Sequence, residues 1–235
     1  MKPVSRTFLS SLALIVASSL WASAQWNKKP YTEWSEKEAL KVLNDSPWGQ
    51  TQAVTDTSQM TGQARASSGQ SRVAEVFNVN IRIRFLSSKP IREAISHLME
   101  MKNRENVSPQ MAAQLKAFAA ADFPDYIVVT VLTESDKASA LLQQTQAEFY
   151  KFTTNELKNN TYLQASGQRV FIKEYQPPGK DGLGARYIFP RLVDGKPFVT
   201  PEASDVLFSS EPAGATKLKM RYKIKDMMLD GKIEI

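Results

Sequence analysis

Glycine-bearing turns between short strand-like segments dominate the last third of the chain and constrain the fold more than any other feature. Tyr162 to Ala165 and Val170 to Tyr175 flank Ser166-Gly167-Gln168, Arg186 to Val193 and Lys196 to Val199 flank Asp194-Gly195, and Lys217 to Leu229 and Lys232 to Ile235 flank Asp230-Gly231. Asp-Gly suits the positive φ angles of a type I′ turn, whose twist matches that of the strands it joins, so these segments predict antiparallel hairpins. Further upstream, Val79, Ile81, Ile83 and Phe85 alternate with Asn80, Arg82 and Arg84, the period of a half-buried strand. Tyr126 to Leu132 is an apolar run interrupted only by Thr130, which predicts a strand covered on both faces.

Between these strands lie helical periods. Lys89-Pro90 opens a helix with Ile91, Ala94, Ile95, Leu98 and Met101 on one side, and Ser108 caps a second that starts at Pro109 and carries Met111, Leu115 and Phe118. A third begins at Asp136 and presents Ala138, Leu141, Leu142, Thr145, Phe149 and Phe152. The expected fold is therefore α+β: about three helices packed on a mostly antiparallel sheet with C-terminal hairpins. The 235 residues, 42% hydrophobic and 23% charged, suffice for a sizeable core in one domain spanning 72–235.

Ahead of that domain, Ser35 and Glu38 have the spacing of a capping box for a short helix that Asn44-Asp45-Ser46-Pro47 ends. Too short to stand alone, the helix needs docking, for which Trp26, Trp34 and Trp48 supply the surface. Residues 25–56 are read as this helix followed by an edge strand. The stretch 57–71, rich in Gln, Ser, Thr and Gly, is read as a flexible polar loop. The run from Trp34 to Trp48, W-S-E-K-E-A-L-K-V-L-N-D-S-P-W, resembles the start of a group of uncharacterised exported bacterial proteins, with looser likeness at Thr161-Tyr162-Leu163 and at Met228 to Ile235. The resemblance implies an exported folded domain and brings no activity with it.

Export is also what the first residues predict. Lys2 and Arg6 precede an apolar segment from Phe8 to Trp21, and Ala22-Ser23-Ala24 is a small-x-small cleavage site, so 1–24 reads as a cleavable signal peptide. The expected location is periplasmic or extracellular, with no transmembrane segment after cleavage.

Chemistry is sparsely encoded. With no cysteine and one histidine, thiolate catalysis, disulfides and His-rich metal sites are excluded, and no cofactor is expected. His97 lies about 120° from the apolar stripe of its helix and is expected to face solvent. Gly182-Leu183-Gly184-Ala185-Arg186 is half a dinucleotide fingerprint followed by a strand instead of a helix, hence a loop. A carboxylate-dependent hydrolase of envelope polymers would draw on acids such as Asp122, Asp125, Glu202 and Asp205. The stronger pattern is Lys217, Lys219, Arg221, Lys223 and Lys225, which alternate with Leu218, Met220, Tyr222 and Ile224 and so place five cations on one sheet face. Either acidic cross-strand neighbours neutralise them, or they form a polyanion-binding patch, enlarged if Arg82 and Arg84 lie beside it. The favoured reading is a non-enzymatic binding or assembly module whose partner is an acidic envelope polymer, lipid headgroups or another envelope protein. Nucleic acid is disfavoured because no aromatic side chains interleave with the basic row.

Overall fold

The computed structural model describes residues 29–56, 77–135 and 137–235. Residues 1–24, Trp26 and the stretch 57–71 lie outside these residues, and with them the expectations of a signal peptide and a flexible polar loop. In chain order the elements are α1 (Glu36–Asn44), β1 (Gly49–Asp56), β2 (Phe77–Phe85), α2 (Lys89–Lys102), α3 (Pro109–Ala120), β3 (Tyr126–Glu134), α4 (Ala140–Lys151), α5 (Thr154–Leu157), β4 (Thr161–Ala165), β5 (Gln168–Phe171), β6 (Glu174–Gln176), β7 (Ala185–Pro190), β8 (Leu192–Val193), β9 (Lys196–Pro197), β10 (Asp205–Ser210), β11 (Leu218–Lys223), β12 (Met228–Leu229) and β13 (Lys232–Ile233). The fold is α+β with antiparallel pairing in every ladder. No helix among the described residues is long and apolar enough to cross a membrane.

The strands divide between two main sheets, ordered β1-β2-β3-β7-β6 and β11-β10-β4-β5. A bend after β5 makes the division. The Ile172 amide still donates to Thr161 in the second sheet, whereas the next amide, Lys173, donates to Ile188 in the first, so Val170 to Tyr175 is two strands and not one. Strands that switch sheets in this way form corners. At the opposite edge, side chains stand in for a missing ladder. Gln52 Nε2 donates to the Lys217 carbonyl at 2.8 Å and Gln52 Oε1 accepts from the Lys219 amide at 3.1 Å, so β1 and β11 close on one another through a carboxamide. Both edges are thereby shielded from pairing with other chains.

The core lies between the sheets. Register puts Ile81, Ile83, Phe85, Val129, Val131, Tyr187 and Phe189 on the inner face of the first sheet, all fully or almost fully buried. Phe208 and Tyr222 face them from the second, with ring centroids 5.4 Å apart for Tyr187–Phe208 and 4.8 Å for Phe85–Tyr222. The Tyr222 hydroxyl donates to the Ile83 carbonyl at 2.9 Å, which satisfies a polar group that burial would otherwise penalise.

The N-terminal helix forms as its capping box predicts, with Ser35 Oγ accepting from Glu38 N at 3.3 Å and Glu38 Oε2 accepting from Ser35 N at 2.7 Å. Hydrogen bonds from Lys29 and then from Ser35 hold the Glu38 carboxyl down at about 2. Its contribution is therefore complete above the ordinary carboxylate range and is lost as pH falls towards 2. Trp34 and Trp48 are both buried, as docking requires. Ser35→Ala should lower the unfolding midpoint by about 2–4 °C, the equivalent of one lost N-cap, and an unchanged midpoint in a thermal melt would show that docking alone holds α1 in place.

Several boundaries differ from expectation, each for a local reason. The third long helix starts at Ala140, where Ser139 accepts the Leu142 amide; Asp136, the expected start, lies outside the described residues. A second capping box, Thr153 with Glu156, starts the short α5. Lys217 to Leu229 is broken by a 3-10 turn at Ile224–Met227, which buries Ile224 and Met227 together. Arg186 to Val193 breaks at Arg191, whose amide turns to the Asp125 carbonyl. All three hairpin turns have positive φ at both turn residues, as type I′ geometry demands. Ile235 is buried, but Ile233 is only half-buried, because the β12–β13 ribbon lies at the rim of the core.

Candidate polyanion-binding face

β11 exists because its apolar residues fall every second position. Leu218 and Tyr222 are buried, Met220 is half-buried, and Lys219, Arg221 and Lys223 point the other way and are exposed. Lys217 is exposed just ahead of the strand, and Lys225 is exposed on the 3-10 turn past its end, where strict alternation no longer applies. Neighbouring cations along a strand are about 7 Å apart, inside a Debye length of about 8 Å at physiological salt, so they act together on a ligand.

Pairing across the sheet fixes what stands beside them. One outward-facing row reads Lys219, Ser209, Tyr162, Phe171, and the next reads Arg221, Leu207, Gln164, Arg169. Lys223 stands opposite Asp205. Asp205 is the sole acid that the four strands place on this face, and Arg221 Nη1 binds it at 2.5 Å. Arg169 Nε donates to Gln164 Oε1 at 3.0 Å, with its guanidinium 4.2 Å above the Tyr162 ring. Phe171 meets Tyr162 edge to face at 5.8 Å and is 44% exposed. Between the basic row and the aromatic pair, Leu207 and Ser209 are buried, and the Ser209 hydroxyl donates to Glu211 at 3.1 Å. The face thus carries aromatics two and three strands away from the basic row, although none interleaves with the row itself, a feature the sequence reading did not anticipate. They were missed because they sit on β4 and β5, far from the lysines in sequence; the Ser166-Gly167 turn already implied that Tyr162 and Phe171 are paired, but not that they point outward.

Arg82 and Arg84 do not enlarge the patch. They project from the outer face of the first sheet, where Arg82 binds Glu134 at 3.0 Å. Arg84 is buried beneath the end of α1, donating to the Leu43 carbonyl at 3.1 Å and to Asn44 at 2.7 Å. Desolvation lowers the Arg84 pKa to about 10, which still leaves it charged at neutral pH.

His97 is buried, not solvent-facing. Its Nε2 lies 2.5 Å from the Trp34 carbonyl, because the segment leading into α1 covers the side of α2 that the apolar stripe leaves open. The ring is a docking contact.

A cavity of about 370 Å³ lies between the start of α2, the end of α3 and the last residues, and it includes Arg92, Arg191, Lys89, Asp122 and Glu234. Its charges are occupied with closing the backbone. Arg92 donates to the Leu86, Ser87 and Ala121 carbonyls, and Arg191 to the Phe123 carbonyl and the Ile235 main-chain oxygen. Burial lowers both arginine pKa values, and Glu234 and Asp122 oppose that shift. Glu234 in turn accepts from the Lys89 amide at 3.0 Å, at the start of α2. Of the four acids considered for hydrolysis, only Asp122 lines this cavity, so they are not gathered there as a catalytic pair. Gly182 and Gly184 form a loop into β7, with no helix to receive a phosphate.

No protein-family model matches the chain, and no curated protein or solved structure matches it either.

Proposed function

We propose that this is an exported, non-enzymatic binding or assembly module that holds an acidic polymer of the cell envelope on the outer face of the β11-β10-β4-β5 sheet. The observation that supports it best is the imbalance of charge among the exposed side chains: Lys219, Arg221, Lys223 and Arg169 outnumber the acids beside them, Asp205 and Glu211, the latter accepting from the Ser209 hydroxyl at 3.1 Å. Cross-strand neutralisation would need an acid opposite each cation, and β10 offers Ser209 and Leu207 at two of those positions. Export rests on Lys2, Arg6, the apolar run and Ala22-Ser23-Ala24.

Exposed ionic contacts contribute about 0.2–1 kcal/mol each, so converting Lys219, Arg221 and Lys223 together to Gln should weaken binding of a linear polyanion by roughly tenfold at physiological salt. The salt dependence of binding should flatten in parallel. Calorimetric titration of both proteins with polyphosphate at two salt concentrations measures this. Equal affinities would remove β11 from the site.

A further inference from the structure

The polymer itself can be narrowed from the other half of the face, and the argument rests on the binding role just proposed. We infer that the ligand is an acidic polysaccharide, which lays one sugar ring on Phe171 while its acid groups meet Lys219, Arg221 and Arg169. Phe171 carries the argument. Its neighbours Val170 and Ile172 are buried in the core, whereas its own ring is turned outward and is 44% exposed on a strand of only four residues. Among the described residues its aromatic partner is Tyr162, met edge to face. A pyranose presents a flat face of C–H groups that fits such a ring, and its hydroxyls suit the half-buried Gln164 carboxamide beside it.

The layout selects this polymer over other acidic chains. From β11 to β5 is three strand spacings, about 14 Å, so a single extended chain crossing the strands meets the lysine row and the aromatic row together. A ring-free polyanion would use the cations and leave Phe171 idle. Single-stranded nucleic acid stacks successive bases on several open ring faces. Here the Arg169 guanidinium already lies over Tyr162, which leaves Phe171 as the open platform. Arg169 keeps its planar donors at the rim, where they fit a carboxylate in two-pronged fashion.

Three probes and two kinds of variant test the inference on the full exported chain: an oligogalacturonate, a polyphosphate of matched charge and an oligothymidylate. Phe171→Ala should weaken oligogalacturonate by about fivefold to tenfold, the usual scale of one aromatic contact, and leave polyphosphate within twofold. Phe171→Trp should keep oligogalacturonate affinity, and matched thermal midpoints will show that the exposed site tolerates both changes. If Phe171→Ala leaves oligogalacturonate unchanged while the Lys219, Arg221, Lys223 triple variant weakens it, the sugar inference is overturned and the polyanion reading stands. Tighter, Phe171-dependent binding of oligothymidylate overturns the inference in favour of nucleic acid. Failure of all three probes to bind overturns both.

Discussion

Deleting residues 232–235 should lower the unfolding midpoint by about 10 °C or more, or yield insoluble protein. Ile235 is 4% exposed, and its burial contributes roughly 1.5–3 kcal/mol. The deletion also strands other groups. Trp48 Nε1 donates to the Glu234 carbonyl at 2.8 Å, and an orphaned buried donor costs about 1–3 kcal/mol. Arg191 loses the Ile235 oxygen, and the Lys89 amide loses the Glu234 carboxylate. At about 2–4 °C per kcal/mol for a chain of this size, these losses sum to the stated shift. A melt of the truncated protein that superimposes on the full-length curve would mean that the end of the chain is not built into the fold.

Gly184→Ala should destabilise nearly as much, and for a different reason. Gly184 has φ +85, and a Cβ there would sit 2.2 Å from the Val131 carbonyl oxygen and 2.8 Å from its carbon, both backbone atoms of β3. The left-handed conformation costs an L-residue about 1–2 kcal/mol, and forcing β7 away from β3 adds about 1–3 kcal/mol. Gly182→Ala separates the two effects, since its φ is +72 but nothing lies within 4 Å of the added methyl. The expected ordering in chemical denaturation is wild type, then Gly182→Ala, then Gly184→Ala well below both. Equal losses for the two variants would show that the close approach to β3 relaxes without cost.

The differing costs at Gly182 and Gly184 also show where the sequence stops being informative. Read alone, Gly182-Leu183-Gly184 is a loop with two flexible points. Only the packing of β7 on β3 makes the second one sterically obligatory. The same division runs through the candidate site. The alternation of Lys219 to Lys223 with Leu218 to Tyr222 fixed which residues share a face, because the period of a strand is a local property of the backbone; it failed at Lys225, where a 3-10 turn replaces the strand. It left open where that strand lies in the sheet and which residues stand across from it. The position of β11 at an edge, beside Ser209 and Leu207 with Tyr162 and Phe171 beyond, follows from long-range pairing.

His97 and the sheet division give the same lesson from the core. The angle of His97 on its helix was correct, but the segment that covers that side arrives from 63 residues earlier in the chain. The strands were legible one by one; their division into two sheets depends on Ile172 and Lys173 sending adjacent amides to different partners. What the sequence determined by itself were the features enforced within a few residues: the Ser35–Glu38 capping box, the proline-opened α2 and α3, the three positive-φ turns and the alternation of β2 and β11. What only the tertiary structure decided were sheet membership, the Gln52 bridge between β1 and β11, the covering of His97 and Arg84, and the meeting of lysines with aromatics on one face. Those depend on which distant surfaces bury each other, and a local pattern of polar and apolar residues shows that a face will be buried without saying against what.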